Sequence, residues 1–343
     1  MSLTRKNLMI LAAILGMLAL TACTREITTI VQEDPQPSSC FECHSDTDLS
    51  VLRAQTEWSE SVHGEGETVF EGTRADCVRC HCNEGFIQYV DDPTRVTYSA
   101  TSTPTNINCF TCHAPHSNGD FGLRVTEAVP MLNGEFHDLG LGNTCTVCHQ
   151  ARRDVAVYIT SSNSITNRYG PHHGPQGDLL LGTNGYEYAG YTYTETPYHR
   201  TMNEDGCVNC HMRNVAHLVG GHTFNVSTYN AEEDETVYNT GACVGCHTDW
   251  PEDLENFDYN GVQTEIAGLL AELHALLLDA GYVNASGVPV TRSAVPADIA
   301  GAIWNFQFVG AEDRSNGVHN PAYARDLLQS SIAYMESLIV PTN

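Results

Sequence analysis

The hydrophobic positions of this chain fall into three regions with different patterns. An apolar run from Leu8 to Leu20 follows the basic residues Arg5 and Lys6. From residue 40 to about residue 250 the apolar positions show little helical or strand periodicity, and Gly, Asn, Thr and Tyr are frequent. After Trp250 apolar residues recur at helical spacing. This last pattern predicts helices over Gln263–Gly281, Ala297–Val309 and Pro321–Leu338.

The N-terminal apolar run is typical of a secretory signal peptide, since it is shorter than the about 20 residues that span a bilayer. It ends in Leu20-Thr21-Ala22-Cys23, which resembles the lipobox of bacterial lipoproteins. We therefore expect cleavage after residue 22, lipidation of Cys23 and a flexible tether over residues 23–39. Thr24 follows, not Asp, which favours an outer-membrane anchor. The alternative is an ordinary signal peptide in which Cys23 is incidental.

Between the tether and the C-terminal helices, Cys-x-x-Cys-His occurs six times, and we name each motif by its first cysteine. Zinc or thiol-redox CxxC pairs need no histidine at this fixed place, whereas two cysteines and the next histidine are what one covalently bound haem c requires. The motifs predict six haem c groups. The attachment residues are Cys40, Cys43, Cys77, Cys80, Cys109, Cys112, Cys145, Cys148, Cys207, Cys210, Cys243 and Cys246. The proximal ligands are His44, His81, His113, His149, His211 and His247.

A haem with two histidine ligands has no open coordination site and carries electrons without binding substrate at the iron. Ten further histidines are available as second ligands. From their local context we predict as distal ligands His63, His116, His172, His199, His222 and His319. The reserves are His137, His173 and His274. His274 lies on the apolar face of the first C-terminal helix, where a core histidine is expected, and His217 has no supporting context.

The formal net charge is −26, and Lys6 is the only lysine. This balance argues against nucleic acids and anionic lipids as partners, and suits cationic or metal-bearing electron acceptors. Of the 14 cysteines, twelve belong to the motifs. The remaining two are Cys23 and Cys82, and we interpret Cys82 as a buried bystander.

The organisation that follows is a signal peptide (1–22), a tether (23–39), a hexahaem-binding region (40–250) and a helical region (251–343) that closes the haem core. The fold class is mostly α with long loops, a haem-cored cytochrome with a C-terminal helical hairpin or bundle. Short helices are expected at the motifs, with porphyrins supplying much of the core.

Several segments resemble multihaem c-type cytochromes of the ammonia-forming nitrite reductase and hydroxylamine oxidoreductase lineage. They are Trp58–His63, Cys109–His116, Pro171–Gln176, Gly220–Phe224, Trp304-Asn305 and Gly317–Leu328. The resemblance implies that His319 is brought back by the C-terminal helices to ligate an earlier haem. It fails at one point, because those nitrite reductases carry a lysine-ligated catalytic haem and every motif here ends in histidine.

The sequence therefore predicts an electron carrier, with no catalytic residue, that passes electrons along six bis-histidine haems. We expect it to be lipid-anchored to the outer membrane, on the periplasmic side or at the cell surface, and to serve anaerobic or extracellular respiration. Its expected partners are redox proteins or metal or mineral acceptors. Two alternatives stay open. One is an enzyme that acts on a small nitrogen or sulfur compound at one open haem, and the other is a subunit of an oligomer or cytochrome filament.

Overall fold

The computed structural model describes residues 49–114, 121–194, 198–213, 218–252 and 254–339. The predicted lipidation site Cys23, the Cys40 motif, His116 and His217 lie outside these residues. The chain divides into two compact units, Met1–Leu52 and Arg53–Asn343. Everything described below concerns the second unit, apart from the first residues of the first helix.

The fold is mostly helical, mixed with loops. Its α-helices are α1 (Leu49–Ser59), α2 (Val62–Glu65), α3 (Val78–His81), α4 (Asn83–Asp91), α5 (Cys109–Cys112), α6 (Asn143–Thr146), α7 (Val155–Tyr158), α8 (Gln176–Leu181), α9 (Tyr198–Thr201), α10 (Val208–His211), α11 (Val262–Asp279), α12 (Ala297–Phe306) and α13 (Pro321–Ser337). Short 3₁₀ turns cover 69–73, 140–142, 221–223, 240–242 and 259–261.

Four of the motifs overlap a single helical turn, as the sequence predicts: α3, α5 and α10 cover most of their motifs, and α6 ends one residue after Cys145. At the Cys243 motif the turn is 3₁₀ and precedes it, over Thr240–Ala242. In α5 the turn is closed by a capping box, because the Asn108 side chain and Thr111 bond each other's backbone amides. One turn is enough to place two cysteines and a histidine on the same side of the chain.

The three long C-terminal helices lie within two or three residues of the predicted bounds and pack on one another. Helix α13 begins where the Asn320 side chain accepts the Tyr323 amide and Pro321 occupies the first turn. Helix α12 is buried nearly throughout, because α11, α13 and the 163–165 strand cover it. Trp304, Phe308 and Leu327 lie in this core without solvent exposure. That these helices close a haem core remains a prediction.

Helix α12 continues as a π-helix over Gln307–Glu312, which the sequence does not predict. The Asp313 amide donates to the Phe308 carbonyl, five residues back, at 3.0 Å. π-Helical turns are rare and often mark functional sites.

Three two-stranded antiparallel sheets were not predicted, because each strand has only two to four residues. They pair β1 (Val129–Pro130) with β2 (Phe136–His137), β3 (Asn163–Ile165) with β6 (Arg292–Val295), and β4 (Ser227–Asn230) with β5 (Glu235–Tyr238). The β3–β6 pair connects the motif region to the C-terminal helices across more than a hundred residues.

Among the described residues, one helical stretch, Tyr259–Asp279, is long and apolar enough to cross a membrane by length and composition. Its Ile266, Leu273 and Leu277 side chains are fully buried against the neighbouring helices.

Candidate haem-ligating histidine pairs

The structure places four motif histidines close to four histidines from elsewhere in the chain. The ring centroids are 6.2 Å apart for His63 and His149, and for His199 and His247. They are 6.3 Å apart for His113 and His222, and for His211 and His319. Each pair joins one predicted proximal ligand to one predicted distal ligand.

This spacing fits two imidazoles on opposite sides of one metal ion. A metal–imidazole bond is about 2 Å long and the bonding nitrogen lies about 1 Å from the ring centroid, which gives a centroid separation of about 6 Å. Direct packing of two aromatic rings accommodates separations from about 4.5 to 7 Å. The four nearly equal values, all between a motif histidine and a distal candidate, therefore favour a shared iron over ordinary ring packing.

In each pair at least one ring is held through Nδ1, which leaves Nε2 for a metal. Nδ1 of His113 donates to the Phe121 carbonyl at 2.5 Å, and Nδ1 of His199 donates to the Val318 carbonyl at 2.6 Å. His211 donates in the same way to the Phe224 carbonyl at 2.9 Å.

Two further rings, in the His63–His149 and His211–His319 pairs, are held by side-chain acceptors. His149 donates through Nδ1 to Oε1 of Gln176 at 3.2 Å, and His319 to Oδ1 of Asp313 at 2.6 Å. The two rings are fixed in orientation before any metal is considered.

Burial keeps most of these imidazoles neutral, the form that binds a metal. It lowers the pKa of His63 and of His211 to about 4, helped by neighbouring histidines in both cases. It also lowers the pKa of His149. At His319 burial acts in the same sense, but the Asp313 charge and hydrogen bond outweigh it and raise the pKa.

His81, the predicted proximal ligand of the Cys77 motif, lies close to the adjacent His172 and His173. His173 is held through Nδ1 by Oε2 of Glu312 at 2.6 Å, as the paired histidines are held by their own acceptors. His172 adopts a positive φ of 76°, and burial is the main cause that lowers its pKa to about 4.

Two reserve histidines have other surroundings. His137 is fully buried, and its Nδ1 lies 3.2 Å from Oδ1 of Asn143. Its buried Nε2 has no hydrogen-bond partner among the described residues, whereas the paired histidines have accessible surface. His274 stacks on Phe306 with centroids 5.6 Å apart and bonds the Asn284 carbonyl through Nε2. The surroundings of His274 match a structural histidine, and His137 remains a reserve candidate.

The cysteines show which motifs are neighbours. The Cys148 thiol lowers the pKa of Cys80, and the Cys145 thiol raises the pKa of Cys207, so the two thiols of each pair lie close together. Cys112 lies near Cys148, and Cys210 lies near Cys243 and Cys246. The Cys145 motif therefore lies among the Cys77, Cys109 and Cys207 motifs, and the Cys243 motif lies beyond the Cys207 motif.

Cys82 is fully buried, and its thiol donates to the Val78 carbonyl at 3.5 Å. Burial is the main cause that raises its pKa. A buried, protonated thiol is a poor nucleophile, which agrees with the bystander role inferred from the sequence.

Sequence reasoning missed the residues that hold the ligands. Phe224 bonds His211 through its carbonyl, while its ring lies 5.1 Å from the His63 ring and 5.9 Å from the His222 ring. Gln176, Glu312 and Asp313 also went unnoticed. No local motif marks them, because each meets its histidine across a long stretch of chain or around a turn.

Comparison with known proteins agrees with the motifs. The model of the NapC/NirT cytochrome c family, N-terminal region, matches residues 2–100. The C-type polyheme cytochrome OmcC of Geobacter sulfurreducens is 24% identical over 336 residues, which covers 77% of this chain and 43% of that protein. OmcB of the same species is 23% identical over 335 residues, covering 77% and 44%. The chain thus spans less than half the length of these relatives.

Among solved structures, the undecaheme cytochrome from the S-layer of Carboxydothermus ferrireducens aligns with a TM-score of 0.44 and 20% identity, over 85% of this chain and 40% of that one. The repeated Cys-x-x-Cys-His motif and the sequence matches together support the assignment of this chain as a multihaem c-type cytochrome.

Proposed function

We propose that this chain is an exported electron-transfer cytochrome with six haem c groups, each attached through the two cysteines of one motif. The observation that carries the proposal is the set of four histidine pairs with centroids 6.2–6.3 Å apart. When bound, each haem supplies a one-electron couple. The residues of the chain anchor at least one imidazole of each pair through Nδ1 and bring neighbouring motifs close together.

The proposed axial pairs follow from these distances. They are His149 with His63, His113 with His222, His211 with His319, and His247 with His199. In every case a ligand from a distant segment meets a motif histidine, so that the loops are tied together by ligation.

For the Cys77 motif we propose His173 as the partner of His81, in place of our first choice, His172. The reason is the Nδ1 bond from His173 to Glu312, which repeats the anchoring of the other ligands. The partner of His44 lies beyond the described contacts. His116 remains the candidate for it on sequence grounds.

With two imidazoles at a haem, no axial position is left for a substrate, and this favours electron transfer over catalysis. The closeness of the Cys77, Cys145 and Cys207 motifs supports exchange between neighbouring groups. The relatives are cytochromes by name, which supports the same class of function. The partners we propose are redox proteins or metal-bearing acceptors, as the acidic composition suggests.

We further propose that residues 1–22 are removed on export and that lipidated Cys23 anchors the protein to the outer membrane. The Leu20–Cys23 sequence supports this proposal. Replacement of Cys23 by Ser should release the mature protein from the membrane fraction into the soluble fraction. If the variant remains with the membrane, the lipid anchor is wrong.

Electron paramagnetic resonance of the oxidised protein tests the axial assignment. We expect six low-spin haems per chain and no stoichiometric high-spin signal. His319→Ala should convert one haem to high spin, whereas His274→Ala, which removes a histidine packed on Phe306, should leave the spectrum unchanged. A high-spin haem in the unaltered protein that binds nitrite or hydroxylamine would instead support the enzyme alternative.

A further inference from the structure

We propose that Glu312 and Asp313 are redox-tuning residues that lower the reduction potentials of two different haems. These two residues are consecutive in the chain. The Glu312 carboxylate accepts Nδ1–H of His173 at 2.6 Å, and the Asp313 carboxylate accepts Nδ1–H of His319 at 2.6 Å. This inference rests on the proposed axial roles of those two histidines.

The hydrogen bonds of the other ligands provide the contrast. His113, His199 and His211 donate to neutral backbone carbonyls, and His149 donates to an amide oxygen. Glu57 lies 3.8 Å from Nδ1 of His222, beyond hydrogen-bond distance. Among the histidines of the described residues, His173 and His319 are the two whose Nδ1–H donates a short hydrogen bond to a carboxylate.

A carboxylate acceptor changes the ligand electronically. It draws the Nδ1 proton, so the imidazole becomes a stronger donor and stabilises ferric over ferrous iron. The nearby negative charge acts in the same direction. Asp313 has a fully buried side chain, whereas that of Glu312 is 10% exposed. Because water screens Glu312 more, we expect the larger effect at the haem held by His319.

The π-helix holds both carboxylates in place. The widened turn ends at Glu312, and the Asp313 amide closes it on Phe308. Gln176 donates through Nε2 to the backbone carbonyls of Glu312 and Asp313 at 3.1 and 3.3 Å. The same Gln176 accepts from His149. A single short segment therefore contacts, directly or through Gln176, ligands of three motifs.

Ser315 moderates the Asp313 charge. Its amide donates to Oδ2 of Asp313 at 3.1 Å, and its hydroxyl donates to the same oxygen. Loss of the hydroxyl leaves more negative charge on the carboxylate that His319 meets. Ser315→Ala should therefore act in the opposite direction to removal of the carboxylate.

The test is a spectroelectrochemical titration of the full holoprotein that resolves the six haem components. Asp313→Asn should move one component to higher potential by at least a tenfold change in its reduction equilibrium, about 59 mV for one electron. Glu312→Gln should move a different component by less, and the double variant should show both shifts. Ser315→Ala should move the first component to lower potential.

The matched control is Glu265→Gln, which removes one negative charge from an exposed pair with Arg325 and should leave all components in place. Low-spin spectra must be retained in each variant, so that a shift reports tuning and not ligand loss. Unchanged potentials in both Asp313→Asn and Glu312→Gln would overturn the inference, as would a Ser315→Ala shift to higher potential.

If Asp313→Asn fails to assemble, Glu312→Gln and Ser315→Ala decide the question. The axial assignment of His319 and the tuning role of the two carboxylates can be tested separately. If His319→Ala leaves the number of low-spin haems unchanged, the axial assignment is wrong. If that number falls but the carboxylate variants keep their potentials, only the tuning role is wrong.

Discussion

Phe224 shows how one residue can serve several ligand pairs. Its φ is +58°, an unusual value for a bulky residue, and this turns its carbonyl toward His211 while its ring lies between His63 and His222. The backbone and the ring thus act on three different proposed pairs. A residue held in such a conformation persists only because the surrounding structure requires it.

We predict that Phe224→Ala keeps the carbonyl bond to His211 but frees the rings of His63 and His222. The g-values of two low-spin haems should change in electron paramagnetic resonance, and the others should stay. Phe257→Ala, which removes a ring packed on Tyr238, should leave all signals in place. Identical spectra for the Phe224 variant and the unaltered protein would contradict this prediction.

Asp178 is a second residue whose setting has a measurable consequence. It is 1% exposed and accepts the Ala151 amide at 2.7 Å and the Asn184 side chain at 3.0 Å. Burial raises its pKa to about 6, partly opposed by these hydrogen bonds. The carboxyl links the segment after the Cys145 motif to the loop that follows α8.

Because the folded pKa of Asp178 exceeds the unfolded value, the native state holds a proton that the unfolded state loses. The raised pKa of Asp178 therefore has no effect on the free energy of unfolding below pH 4. As the pH rises past 6, it lowers that free energy by an amount on the order of 3 kcal/mol. We predict that the free energy of unfolding of Asp178→Asn, relative to the unaltered protein, rises across this interval in denaturant titrations. A difference that is independent of pH would contradict the assignment.

Among the elements, the three C-terminal helices were predictable because amphipathic spacing, Pro321 and the glycine at 281 are local signals. The change to a π-helix after Phe306 was not predictable. It depends on the tertiary contacts of Glu312 and Asp313 with their histidines. Glu312 and His173 are 139 residues apart in the chain, and Asp313 and His319 are 6 residues apart. The β3–β6 sheet was missed for the same reason, since its strands are more than a hundred residues apart, whereas the two hairpins were missed because their strands are so short.

Two helical glycines, Gly301 and Gly268, allow the effect of side-chain packing on stability to be measured separately from the effect of helix propensity. A Cβ added at Gly301 of α12 would lie 2.1 Å from Cδ1 of Tyr186, whereas at Gly268 of α11 it would meet nothing within 4 Å. We predict that Gly301→Ala lowers the free energy of unfolding by about 1–3 kcal/mol through overpacking. Gly268→Ala should raise it by about 0.5–1 kcal/mol through helix propensity. Denaturant unfolding measures both, and equal changes would contradict the packing described.

At the scale of the whole molecule, and among the five motifs in the described residues, the Cys145 motif lies close to three others and the Cys243 motif lies close to the Cys207 motif. We predict that alanine at Cys145 and Cys148 lowers the haem content by more than one per chain, because the neighbouring motifs lose a shared packing surface. Alanine at Cys243 and Cys246 should lower it by one. Haem absorbance per chain measures both. Equal losses would contradict the central place of the Cys145 motif.

The sequence by itself determined the chemistry of the attachment sites, because cysteine and histidine at fixed local spacing need only one helical turn to bind one haem. It also determined the three C-terminal helices and an acidic, almost lysine-free composition. Only the tertiary structure decided which distant histidine lies beside each of four motif histidines, because that choice depends on contacts between segments far apart in the chain. The same holds for Phe224, Gln176, Glu312 and Asp313, whose roles exist only where folded segments meet.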